Sequence, residues 1–177
     1  MPSRPVRARG ADWNELRAVL EGREIFGPLF EPAFERASRR LRRATRALDR
    51  QAAARAAAAL VGLGPGSTPA GDDFLIGWLA GLSVTLDGNA ARRGFLEILG
   101  SRISMERHRT HPRSARYLEA ACRLQFSERL AEFVRAFAQG AATWRPALAR
   151  VLATGHSSGA AAALGFARAA PLWAVAR

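Results

Sequence analysis

With 177 residues, 49% of them hydrophobic and 24% charged, the chain is long enough for one domain with a real core and has a globular composition. Its formal net charge is +12, and every one of its 27 basic residues is Arg. The absence of Lys excludes a P-loop lysine, a Schiff-base lysine and a Lys general base. So basic a balance points to nucleic acid, an acidic substrate or an acidic partner subunit. Codon bias toward Arg and Ala competes with that reading, and the alanine runs at 52–54 and 160–163 fit it. The lone Cys122 excludes an internal disulfide. It lies in an apolar helical pattern and reads as a structural thiol of a reducing compartment.

Residues 1–10, with Arg4, Arg7, Arg9 and two prolines, read as a disordered basic arm, and 11–177 as a single helical domain. The polar N-terminus has no apolar run behind it, so neither a secretory signal nor a membrane partner is expected, and a cytoplasmic location follows. A short helix is predicted over 11–21. From 28 to 60, Phe30, Phe34, Ala37, Leu41, Ala44, Leu48 and Ala52 form one helical stripe, predicting a single long amphipathic helix. Its arginines at 36, 39, 40, 42, 43 and 46 fall mostly on the opposite face.

The segment Leu60-Val-Gly-Leu-Gly-Pro-Gly-Ser-Thr-Pro-Ala-Gly-Asp-Asp-Phe74 carries the densest chemical signal. Gly62, Gly64 and Gly66 allow backbone turns that aim N–H groups at a common point. Thr68 reads as an N-cap and Pro69 as the first helical residue. A glycine loop that feeds a helix N-terminus attracts anions. Candidate ligand-binding residues here are Gly64, Gly66, Ser67, Thr68 and Gly71. Asp72 and Asp73, one turn in, are candidates for orienting a substrate N–H or holding a divalent cation such as Mg²⁺. The competing reading is a tight helix–helix connection whose acids complement the helix dipole.

Beyond the loop, 69–86 is apolar nearly all round and predicts an enclosed core helix. Asp87-Gly-Asn89 signals a turn, 91–99 a helix, and 100–113 an Arg-rich loop. Within Arg107-His-Arg-Thr-His-Pro-Arg-Ser114, Arg109 is a candidate charge-neutralising residue, with Thr110 and Ser114 as hydroxyl donors. His108 and His111 lack Cys or acidic partners at ligand spacing, so no metal site is expected. Helices are predicted at 113–123, 127–139 and 144–153. Thr154-Gly-His-Ser-Ser-Gly159 then opens the last helix, 160–170, with His156, Ser157 and Ser158 as ligand or capping candidates. A Ser-His-Asp hydrolase triad is not expected. No period-2 apolar strand stands out. The predicted fold is all-α, a single-domain bundle with two glycine-containing helix N-termini.

Together the three polar segments resemble a bacterial family long classed as a domain of unknown function. Its hallmark is similar to Gly-Leu-Gly-Pro-Gly-x-Thr-Pro-x-Gly-Asp-Asp-Phe-x-x-Gly, matched here from Gly62 through Gly77. The family also has a Thr/Ser-containing Arg segment, resembled by 109–114, and a closing turn resembled by 155–159. His111 stands where the family commonly places a second Thr, and the chain looks N-terminally short beside it. Some members are associated with the carbamoyltransferase that acts on oxamate, as one of several subunits. The resemblance implies a transferase subunit that handles a small anion of the carbamoyl phosphate, oxamate or oxalurate type. Other subunits or a homo-oligomer would be its partners. The alternatives are a non-catalytic scaffold subunit docking on an acidic partner and, less favoured for want of any reading motif, a nucleic-acid-binding protein.

Overall fold

The computed structural model describes residues 7–23 and 25–174, so residues 1–6 of the expected N-terminal arm lie outside the described residues. Among the described residues there are nine α-helices and no strand, an all-α fold. They are α1 (Gly10–Leu20), α2 (Gly27–Arg46), α3 (Arg50–Ala58), α4 (Ala70–Ser83), α5 (Ala90–Glu106), α6 (Pro112–Cys122), α7 (Glu128–Ala138), α8 (Trp144–Leu152) and α9 (Ser158–Ala169). Short 3₁₀ turns follow α5, at Arg107–Arg109, and α9, at Ala170–Leu172. None of the described helices is long and apolar enough to cross a membrane.

Helix α4 is apolar nearly all round because it is enclosed nearly all round. Phe74, Leu75, Trp78 and Leu79 are fully buried. Its closest neighbour is α9, and glycines bring the two backbones together. A Cβ placed on Gly77 would stand 1.8 Å from the Ala162 carbonyl oxygen, and one on Gly165 would stand 2.0 Å from that of Phe74. Any side chain at either position would force the helices apart. On one side of this pair α2, α3, α5 and α6 pack a core that includes Phe34, Leu41, Leu60, Phe95, Ile103 and Leu118. On the other, α1, α7 and α8 contribute Leu16, Phe133, Phe137, Trp144 and Val151 around Phe166. Truncating any of the buried phenylalanines to Ala would cost about 3–5 kcal/mol.

Three features differ from the sequence reading. The long helix expected over 28–60 is two helices. Leu48 takes a left-handed conformation (φ 54°), the Asp49 N–H bonds the Ala44 carbonyl, and the Asp49 side chain caps α3 by accepting from the Ala52 N–H at 2.9 Å. This is a Schellman-type ending with leucine where glycine is usual, so the sequence carries no glycine signal for it. Second, the loop expected over 100–113 is helical to Glu106. Gly100 lies inside α5 because α6 crosses there, where a Cβ would meet the Cys122 carbonyl oxygen at 3.2 Å. Third, Pro69 rather than Thr68 occupies the N-cap position of α4, and no side chain caps that helix. The Thr68 hydroxyl is turned to Ser158 instead, 3.2 Å away.

Candidate functional site

The acidic pair at the start of α4 faces two ways. Asp72 points into the protein and is fully buried. Its Oδ1 accepts from the Gly62 N–H at 2.8 Å, and its Oδ2 accepts from the Ser114 hydroxyl at 2.6 Å and from the Thr110 hydroxyl. The glycine loop and the start of α6 are therefore tied together through one carboxylate. Gly62 is essential to this seam. Its φ is +74°, and a Cβ there would stand 2.5 Å from the Arg109 carbonyl oxygen. Charge-assisted hydrogen bonds of this kind are among the strongest available to a folded chain.

Asp73 points the other way. It is 8% exposed, and its Oδ2 is buried without any hydrogen-bond partner. Burial pushes its carboxyl up to about 7, with the Ser158 hydroxyl opposing the shift and the Asp72 charge adding to it. A carboxyl in such surroundings changes protonation near neutral pH.

Asp73 lies in the wall of a cleft of about 520 Å³ between α4, α6, α7 and the α8–α9 turn. Its floor is apolar, formed by Ile76, Phe126, Leu130, Val151 and Ala162, while Thr68, Ser158, Arg113, Tyr117 and Arg129 supply polar groups. Arg113 and Arg129 make no ion pair among the described residues; the Arg129 guanidinium donates to the Thr154 hydroxyl at 3.3 Å. The cleft thus combines an apolar floor, two cationic forks and one carboxyl with a free oxygen. Pockets that orient small polar ligands are commonly built this way.

Of the sequence-predicted site residues, Thr68, Asp73 and Ser158 line this cleft. Asp72, Thr110 and Ser114 form the buried seam behind it. Arg109 is turned away, donating to the Ala58 carbonyl at 2.9 Å and to Glu106 at 3.3 Å. Gly71 is a packing position, where a Cβ would stand 2.2 Å from the Leu60 carbonyl oxygen, and its N–H bonds the Leu63 carbonyl. Gly64 and Gly66 take positive φ in the loop, followed by Ser67, and none of the three lines the cleft. His156 is exposed, and Ser157 stands at the N-cap position of α9 without a side-chain capping bond. Residues 155–159 have Gly-x-Ser-x-Gly spacing, yet they join two helices and lack the strand that precedes a nucleophile elbow.

His111 caps α6 by accepting from the Arg113 N–H at 3.2 Å, and His108 contacts the Met105 carbonyl at 3.0 Å, so both have local structural roles. Among the described residues no group of three or more His, Cys, Asp or Glu comes together, and protein donors occupy Asp72. Cys122 is half-buried, and burial pushes its thiol up to about 11, well above the range of a reactive thiolate.

Sequence reasoning missed Arg113, Tyr117 and Arg129. They come from helices 40 or more residues beyond Asp73 and line the same cleft only through the fold. The available signal was the Arg107–Ser114 segment, which contains Arg113 although Arg109 was the arginine singled out in it.

The family described as oxamate carbamoyltransferase subunit AllH matches residues 60–170. That span runs from the glycine loop through α9 and holds every residue of the seam and the cleft. The chain belongs to the AllH family. No curated protein and no solved structure matches it. Helices α1–α3 precede the span shared with AllH, while the α4–α9 pair, the seam and the cleft all lie within it.

Proposed function

We propose that this chain is a subunit of a carbamoyltransferase-like complex and that the Asp73 cleft binds a small anion bearing an amide or carbamoyl group. The observation that carries the reading is the unpartnered, buried Oδ2 of Asp73, a residue that lines one apolar-floored cleft together with Arg113 and Arg129. Leaving such an oxygen without a donor is costly, and a ligand N–H repays the cost. The ligand's carboxylate or phosphate is met by the two guanidiniums, whose forks fit planar or tetrahedral oxyanions. Oxamate, oxalurate and carbamoyl phosphate each combine an amide-type N–H₂ or N–H with an anionic end.

The chemistry needs no covalent nucleophile. Transfer of a carbamoyl group to an amide nitrogen requires that nitrogen to be oriented and relieved of a proton, and the charge on the departing oxyanion to be offset. Asp73 orients the nitrogen and, titrating near 7, is suited to take the proton. Arg113 and Arg129 supply the positive field. Asp72, Thr110 and Ser114 act as positioning residues, because they fix the turn from which Asp73 projects. Arg109 has the same standing, holding the segment that carries Thr110.

Titration calorimetry of the full chain with carbamoyl phosphate, oxamate and oxalurate tests the reading. Heat is expected from at least one ligand, and it should be lost on Asp73→Asn. Absence of heat from all three with the wild-type chain would defeat it.

A further inference from the structure

Helices α2 and α3 lie against each other and leave an open groove of about 670 Å³ on their outer side. Ala37, Ala44, Ala52 and Ala56 lie along its floor, so no side chain larger than a methyl fills it there. Its rims carry Arg36, Arg40, Arg43 and Arg55, all exposed and none in an ion pair among the described residues. Asp49, the sole acid on the groove, spends one of its oxygens capping α3. On the groove side of α2, Arg36/Arg40 stand at i,i+4 and Arg40/Arg43 at i,i+3 spacing, where like charges weaken a helix. The face works against the stability of the isolated chain unless negative charge from elsewhere covers it.

We infer that the α2–α3 groove is a docking surface for an acidic helix of another protein chain. The alanine floor lets a helix backbone approach closely, and the arginine rims would meet carboxylates on its two flanks, four guanidiniums without an ion-pair partner among the described residues against an acidic stripe. A second copy of this chain does not fit. Its formal charge is also +12, and where its glutamates share a helix face, Glu31/Glu35 on α2 and Glu128/Glu132 on α7, Glu35 is paired with Arg168 and Glu132 with Arg150. Nucleic acid is the poorer occupant, because the groove presents no aromatic side chain for a base to stack on. The surface is independent of the Asp73 cleft and lies wholly ahead of the span shared with the family.

The test uses the full chain and a labelled helical peptide of alanine and glutamate about 20 residues long, matching α2 at ~1.5 Å per residue. Binding is read by fluorescence anisotropy, with a single-stranded oligonucleotide of equal charge as the second probe. The wild type should bind the peptide more tightly than the oligonucleotide. Arg40→Glu/Arg43→Glu should weaken the peptide more than about tenfold, whereas Arg102→Glu/Arg116→Glu, a change of equal charge on other helices, should weaken it less than about threefold. Ala52→Phe, and Ala33→Phe as a second groove-filling variant should the first fail to fold, should weaken the peptide about tenfold without any change in charge. Three results overturn the proposal: tighter binding of the oligonucleotide, equal effects of the two charge reversals, or unchanged peptide binding by a folded groove-filling variant.

Discussion

Asp72 and Asp73 are consecutive residues on one helical turn, yet they occupy opposite kinds of environment. Asp72 is fully buried and accepts three hydrogen bonds; Asp73 is nearly as buried and has an oxygen that accepts none. The difference follows from what the helix lays each one against. Asp72 meets the N–H of a left-handed glycine and two hydroxyls at the start of α6, all arranged around it. Asp73 meets the wall of an open cleft. The same residue type thus serves in one place to join the chain to itself, and in the other is left available to something that is not the chain. Identity and spacing alone do not distinguish these roles; the count of donors does.

Breaking the seam should give the largest effect. Asp72→Ala removes the acceptor shared by the Gly62 N–H, Thr110 and Ser114, leaving three donors without it, so a loss of about 3–5 kcal/mol in stability is expected. Urea denaturation monitored by circular dichroism measures it. A loss below about 1 kcal/mol would mean that water replaces the carboxylate and that the seam does not hold the loop.

Asp73→Asn should do the opposite to stability. A carboxyl raised from 3.8 to about 7 by burial binds its proton more tightly in the folded than in the unfolded chain. Folding is therefore penalised progressively as pH rises from about 4 through 7, and the penalty is complete above that, reaching up to about 4 kcal/mol. The asparagine variant should be more stable than wild type at pH 8 and similar to it near pH 4, while losing ligand binding. A variant that is destabilised at pH 8 would show that Asp73 is a structural partner like its neighbour.

How far this contrast was legible in the sequence is itself instructive. The density of glycine, proline and acid between 62 and 73 marked the segment, whereas Asp87-Gly-Asn89 signalled only a turn and its Asn89 also caps α5, accepting from the Arg92 N–H. The orientation of each acid was hidden because it depends on which residue of α6 comes to lie beside α4, a tertiary fact. Glycine also misleads where it serves packing. Gly100 reads as a break and is instead a close helix crossing, whereas Leu48 makes a break that nothing in its type announces. Arg109 looked like a substrate ligand by composition, but its guanidinium is taken up by the Ala58 carbonyl and Glu106.

The cationic wall of the cleft comes next in size. Arg113→Ala and Arg129→Ala should each weaken anion binding about tenfold, in keeping with the loss of one charge-assisted hydrogen bond, and should leave stability within about 0.5 kcal/mol because both side chains are exposed. Arg109→Ala supplies the contrast, since its guanidinium contacts lie outside the cleft and its effect on affinity should be the smaller. Equal losses from all three would indicate a diffuse field in place of directed contacts.

The smallest effect is the most diagnostic of the Asp73 environment. The Ser158 hydroxyl holds the Asp73 carboxyl down against burial and contacts Thr68. In Ser158→Ala that restraint is gone, so the protonation midpoint of Asp73 moves up, while stability changes by about 1 kcal/mol or less. If the ligand donates an N–H to the ionised carboxylate, wild-type affinity should rise with pH through about 7 and then level off. In the alanine variant that rise should shift to higher pH with the same plateau. A lowered plateau without a shift would assign Ser158 to the ligand directly. A shift without a lowered plateau would show that it acts through Asp73, and that the protonation of this one carboxyl governs occupancy of the cleft.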